Sequence, residues 1–325
     1  MVEITRRALL AGLSATGLSA SGAMPAAAET WPSRTITLVH GLPPGGSVDA
    51  IARIVADGLS TRLGQTVLVE ARPGAGGTSA ASQVARATPD GYTLLAVPSG
   101  HAVSAAMYKK LPYAPVDDFT FIGMTTEYPL VVITYGDSPI KTLKDLIAAG
   151  QADKPLLYGC PNGTGQHLTS ELLAHQAKMK VQEVPYRGSP QALIDLMGKR
   201  IDFMIDPPTA HMSAIQQGGL RALAVTGANR FFALPDVPTI AEIAVPGFDV
   251  TSWQGVIGPA HLPEPIVTRL NAELRAIVTD PKVVEKLKLL GNEPNPSTPQ
   301  EFKAKVASDV AKWVEVVETA KIERV

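Results

Sequence analysis

One cysteine, Cys160, is the only thiol in this chain, so no intramolecular disulfide can form and no cysteine-based metal cluster can assemble. Six histidines occur at positions 40, 101, 167, 175, 211 and 261 without an HExxH, and no GxSxG is present, which removes the usual metalloprotease and serine-hydrolase signatures. Neither sign of charge is in excess. Lys and Arg number 29 against 30 Asp and Glu, which gives no basis for a nucleic acid or an anionic membrane surface as partner. Beyond the N-terminus no run approaches about 18 continuous apolar residues. What remains is a chain of 325 residues, 45% hydrophobic, long enough for about two domains with full cores. Nothing in it points to a metal or a cofactor.

The first residues read as an export signal. Thr5-Arg6-Arg7 precedes an uncharged run of Ala, Leu, Gly and Ser, and Ala26-Ala27-Ala28 supplies a small-x-small cleavage site, so residues 1–28 are expected to be removed after Ala28. The arginine pair is compatible with either the general secretory or the twin-arginine route. The mature protein is expected in the periplasm.

A glycine-rich turn occurs twice, as Pro43-Pro44-Gly45-Gly46-Ser47 and as Gly159-Cys160-Pro161-Asn162-Gly163-Thr164-Gly165. Each follows a short apolar run and precedes an amphipathic stretch, so each is expected to join a strand to a helix. A helix N-terminus offers free N–H groups and the positive end of the helix dipole, and glycine admits a ligand close to the backbone. Two such turns suggest a two-jawed anion clamp.

Strand and helix patterns alternate through most of the chain, which predicts an α/β fold with mostly parallel sheets flanked by helices. A second alternating set begins near Leu130. The tail is helical. Thr142 in the second set and Thr298 in the tail, each followed by an acidic residue three positions on, predict capping boxes. A helical tail must pack on a sheet built earlier, so the chain is expected to cross twice between two lobes, at residues 125–129 and 250–254. The expected lobes are 29–128 with 251–325, and 129–250, with the ligand cleft between them and a two-crossing hinge.

Further motifs carry a family resemblance. Pro43-Pro44-Gly45-Gly46 with Asp49, Arg72-Pro73-Gly74-Ala75-Gly76-Gly77, Pro89-Asp90-Gly91-Tyr92-Thr93, Val184-Pro185-Tyr186-Arg187-Gly188-Ser189 and Leu234-Pro235-Asp236-Val237-Pro238-Thr239 resemble, in order, the substrate-binding proteins of tripartite tricarboxylate transporters, the Bug family. The resemblance implies a two-lobed periplasmic-binding-protein fold. It also implies capture of a small carboxylate by the loops that match residues 43–49 and 159–167, and delivery to a membrane permease. A monomer is expected.

The candidate ligand-binding residues are Pro44, Gly45, Gly46, Ser47 and Asp49 in the first loop, and Gly159, Cys160, Asn162, Gly163, Thr164, Gly165 and His167 in the second. Asp206, ending a strand, is a candidate for selecting the far end of the ligand. Neither loop carries Lys or Arg, so recognition should rest on backbone N–H groups. Arg72 and Arg187 read as loop anchors. Two departures from the family bear on ligand choice: His40-Gly41-Leu42 before the prolines, and Gly159-Cys160-Pro161-Asn162 in place of a Gly-Ser-rich beginning. The competing reading is a secreted enzyme that uses Cys160 as nucleophile and His167 as base.

Overall fold

The computed structural model describes residues 31–324; the expected export signal lies outside them. The chain forms β1 (Ile36–His40), α1 (Ser47–Leu63), β2 (Val67–Ala71), α2 (Thr78–Ala85), β3 (Thr93–Pro98), α3 (Gly100–Met107) and the long β4 (Phe119–Pro129). It continues with β5 (Val131–Tyr135), α4 (Leu143–Gly150), β6 (Leu156–Pro161), α5 (Gly165–Gln176), β7 (Val181–Tyr186), α6 (Ser189–Met197), β8 (Met204–Asp206), α7 (Met212–Gln216), β9 (Leu220–Val225) and α8 (Ile240–Ile243). It ends with β10 (Thr251–Pro259), α9 (Glu264–Val278), α10 (Pro281–Leu289), β11 (Glu293–Pro294) and α11 (Pro299–Thr319).

Two sheets result. The first has the order β11-β4-β10-β3-β1-β2. The second is assembled from β6-β7 and β8-β5-β9, joined where Tyr158 bridges Phe203 in parallel and the Gly159 N–H donates to the Phe203 carbonyl. The resulting order is β7-β6-β8-β5-β9.

Strand direction follows from the hinge. β1 is parallel to β2 and β3, while β10 is antiparallel to both β3 and β4; β1 to β4 therefore all run one way. β4 passes through Leu130 alone into β5, so β5 enters the second sheet from its hinge end and pairs antiparallel with β8 and β9. β10 returns the same way and must run against its neighbours. The expectation of mostly parallel sheets thus needs correction at β5 and β10, whose direction the crossings dictate, and at the two-residue β11, which pairs antiparallel with β4. One consequence positions the site: the C-terminal ends of β1 to β3 point toward the second sheet, and those of β6 to β8 point back toward the first.

Thr226 stitches the crossings together. Its N–H donates to the Leu130 carbonyl, its hydroxyl donates to the Val250 carbonyl at 2.6 Å, and that same oxygen accepts the Leu130 N–H at 2.9 Å. The chain passes between the two sheets at Leu130, one residue beyond the expected span 125–129, and at Val250, the first residue of the expected span 250–254.

Helical amphipathicity supplies the cores. In α1, Val48, Ile51, Ala52, Val55, Ala56 and Leu59 are buried at helical spacing, and the helix stops at Gly64 in the left-handed region (φ 70°). That stripe packs with β1 and with Leu270, Leu274 and Ile277 of α9. On the opposite face of the first sheet, Trp253 and Phe302 meet edge to face with ring centroids 5.2 Å apart. Both predicted capping boxes form, at Thr142 with Asp145 and at Thr298 with Glu301. Gly188 is the N-cap of α6 and Ser189 its first helical residue.

Candidate anion-binding cleft

The first loop leads from the C-terminal end of β1 into α1. Gly46 is the N-cap, with extended backbone (φ −82°, ψ 176°) and no side-chain cap, and Ala50 donates to its carbonyl as the first helical bond. The N–H groups of Ser47 and Val48 meet no acceptor among the described residues. Gly45 takes φ +83°, a conformation that glycine adopts without cost. Its N–H donates to Asp49 Oδ2 at 3.0 Å.

Asp49 is 5% exposed and also receives hydrogen bonds from His40 Nε2 and Arg53 Nε, both at 3.0 Å. The Arg53 contact, helped by the Gly45 and His40 bonds, holds its carboxyl down at about 2. Asp49 is thereby committed to shaping the loop. His40, one of the departures from the family, braces it from the strand.

The second loop repeats the device. Thr164 is the N-cap of α5 and again provides no side-chain cap, because its hydroxyl donates to the Pro161 carbonyl at 2.6 Å. Gly163 takes φ +72°, and its N–H donates to His167 Nδ1 at 3.3 Å. In both loops a left-handed glycine gives its N–H to the side chain four residues on. The first-turn N–H groups of Gly165, Gln166 and His167 have no acceptor among the described residues.

Beneath this loop lies a buried polar cluster. His167 is 4% exposed, and burial lowers its imidazole to about 4, so the ring is neutral and accepts at Nδ1. Its Nε2 lies 3.7 Å from Glu183. The Cys160 thiol is buried against the same carboxylate, with Sγ 3.5 Å from Oε1. Burial first, and then the neighbouring carboxylates, push the thiol pKa upward, away from the thiolate that nucleophilic attack requires. Cys160 and His167 both turn to Glu183 rather than to each other. Gly159 is packed inside the sheet, since a Cβ there would lie 2.5 Å from Ile201 Cδ1, whereas Asn162 is exposed at the loop tip.

Asp206 ends β8 at the same edge and is 1% exposed. Ser189 Oγ at 2.6 Å, His211 Nε2 at 2.6 Å and Gln166 Nε2 at 3.3 Å converge on it. Its oxygens are consumed in joining three elements rather than presented to a ligand.

Each loop leaves its sheet at the end that points toward the other sheet. A Cβ on Gly163 would lie 3.8 Å from Met107 Cε and one on Gly165 would lie 3.9 Å from Val103 Cγ2, so the second loop approaches α3 of the first sheet. Pro44, Gly45, Gly46 and Ser47 are exposed. Polar groups that no sequence motif announced complete the surroundings: Gln254 Nε2 donates to Ser47 Oγ at 3.1 Å, and the Ser99 and Ser252 hydroxyls meet at 2.7 Å. They come from β10 and the end of β3, far apart in sequence, and only strand pairing brings them together. Among the described residues no group of three or more His, Cys, Asp or Glu is placed to hold a metal ion.

Comparisons with known proteins agree with this geometry. Residues 51–322 match the model of the tripartite tricarboxylate transporter family receptor. A relative from Pseudomonas sp. strain P51, the UPF0065 protein in the tcbD–tcbE intergenic region, is 38% identical over 320 residues, covering 98% of this chain and 95% of the relative. Among solved structures, the periplasmic binding protein BugD superposes with a TM-score of 0.77 at 35% identity, covering 91% of this chain and 100% of that one. R. palustris Rpa4515 with adipate gives 0.80 at 34%, covering 91% and 100%. MatC (Rpa3494) of Rhodopseudomonas palustris with bound malate gives 0.76 at 32%, covering 88% and 99%.

Proposed function

The chain belongs to the tripartite tricarboxylate transporter receptor family, and on that premise we propose that it captures a small carboxylate between its two lobes in the periplasm and hands it to a tripartite-type membrane permease. The observation that carries this reading is the pair of helix N-termini without side-chain caps, α1 and α5, which in this reading grip one ligand from opposite sheets. Each charge–dipole contact is worth about 0.3–1 kcal/mol and each hydrogen bond to a charged group about 1.5–3 kcal/mol; several together reach micromolar affinity. Adipate and malate, bound by two of the solved relatives, are carboxylates of the kind such a grip accepts.

In this reading the lobes are residues 29–128 with 251–325, and 129–250. They move as bodies about the strands at Leu130 and Val250, and the protein works as a monomer. The ligand contacts are the exposed backbone of Pro44 to Ser47 and the half-buried backbone of Gly163 to Gly165 behind exposed Asn162, with Gln166 beside them. Asp49, His167 and Asp206 position the loops from behind. Closure removes water from the carboxylate and strengthens each contact. An enzymatic role for Cys160 and His167 is disfavoured by the buried, protonated thiol.

A thermal-shift screen of malate, succinate, adipate and citrate tests the proposal. A true ligand at about 100 times its dissociation constant adds about 2.7 kcal/mol, and small-angle scattering with that ligand should show a smaller radius of gyration. Absence of stabilisation by every carboxylate, or turnover of an ester that thiol alkylation abolishes, would contradict it.

A further inference from the structure

The geometry points to Arg187 as the residue that reads a second anionic group on the ligand, an inference that rests on the carboxylate-clamp reading above. Six loops leave the C-terminal ends of β1 to β3 and β6 to β8 and line the gap between the sheets. Only two cations lie on them, Arg72 and Arg187. Arg72 is spent: its guanidinium donates twice to Glu70, each at 2.8 Å, and to Gln83 at 3.0 Å. Arg187, in contrast, is exposed and makes no hydrogen bond or ion pair with any described residue. It does not anchor its loop, contrary to the sequence expectation.

Register and pleat give its position. Tyr186 pairs with Pro161 at the ends of the parallel strands β7 and β6, so Arg187 begins its loop level with Asn162, one strand spacing, about 4.8 Å, to the side. Successive side chains on a strand point to opposite faces. Tyr186 donates to Asp195 of α6 at 2.7 Å, which marks the even-numbered residues as facing α6. Glu183 meets Cys160 and His167, which marks the odd-numbered residues as facing α5. Continued one step past the strand, the alternation puts Arg187 on the side of the α5 N-terminus. Two residues later the chain is fixed by the Ser189 hydroxyl on Asp206 at 2.6 Å, so the base of the guanidinium arm is held although its tip is not.

A monocarboxylate needs only the N–H groups of the two helix termini. A ligand with a second carboxylate displaced toward the edge strand β7 meets a guanidinium that has no competing partner, and Arg pairs with carboxylate in a bidentate geometry that neither N–H groups nor Lys reproduce. Arg187 therefore sets a preference for dicarboxylates over monocarboxylates of the same length.

Calorimetry on succinate, malate and adipate, each beside its monomethyl ester, tests this in wild type, Arg187→Gln and Arg187→Lys. The wild type is expected to bind its tightest diacid at least tenfold more strongly than the corresponding ester. Arg187→Gln should reduce that ratio below threefold with an unchanged melting temperature, and Arg187→Lys should retain part of it. An undiminished ratio in Arg187→Gln overturns the inference. So does a wild type that binds ester and diacid equally, although the clamp reading then survives. If neither acids nor esters bind the wild type, the clamp reading fails and this inference fails with it.

Discussion

His167 and Asp49 occupy the same place in two loops and do the same mechanical work with opposite protonation chemistry. Each takes the N–H of a left-handed glycine four residues earlier. Asp49 must be charged to hold Gly45, Arg53 and His40, and its lowered carboxyl keeps that contribution at any pH above about 4, losing it only toward about 2. His167 must be neutral to accept at Nδ1. Its folded value near 4 lies below the ordinary 6.5, so over that interval the unfolded chain binds more protons. Stability is then full above about 6.5 and falls as pH drops toward 4. Buried His101, lowered to about 4 by desolvation, acts in the same direction. Denaturant titrations at pH 7 and pH 4.5 should show His167→Gln, which keeps an acceptor for Gly163, losing less stability than the wild type by roughly 1–2 kcal/mol. Identical pH slopes would show that His167 is not held neutral in the native state. At this scale the sequence revealed both glycine turns and both supporting residues. It did not reveal their division of labour, because whether a side chain faces the ligand or the loop behind it depends on packing that one chain position does not encode.

At the scale of elements, α11 ties the C-terminal tail to the hinge. Trp253, on the returning strand β10 and fully buried, donates its indole N–H to Asp309 Oδ2 at 2.7 Å, and Lys305 donates to the other carboxylate oxygen at 2.8 Å. Asp309→Ala strands a buried indole donor, so it should cost about 1–3 kcal/mol. Asp309→Asn, which keeps a carbonyl acceptor, should cost less. Equal losses in thermal melts would place the effect in the charge pairs with Lys305 and Lys312 instead of the indole bond. Helix ends were readable from local chemistry, as Thr142-x-x-Asp145 and Thr298-x-x-Glu301 illustrate. The long hinge strands β4 and β10 were not readable. Phe119–Pro129 and Thr251–Pro259 mix Thr, Ser, Gly and Gln among apolar residues and show no clean alternation, since they are central strands covered on both faces and their character is set by partners more than 100 residues away.

For the molecule as a whole, the two crossings account for much of the design. They force β5 and β10 to run against their neighbours. They turn the loop-bearing ends of both sheets toward one gap, and they place two helix N-termini there with no side chain capping either. The proposed carboxylate capture needs only that placement and no catalytic group, and specificity would then be left to what lines the rim. The central claim is that backbone N–H groups, not side chains, carry the affinity. Space exists to test it, since a Cβ at Gly46 would lie 3.6 Å from the Pro43 carbonyl and one at Gly165 would lie 3.9 Å from Val103, both ordinary contacts. Calorimetry with the best carboxylate should find Gly46→Val and Gly165→Val weakened by more than about 2 kcal/mol, as the added methyl groups exclude the anion from the N–H groups, with circular dichroism unchanged. Cys160→Ser should weaken binding by less than about 1 kcal/mol. Abolished binding in Cys160→Ser together with full binding in both glycine variants would contradict the account.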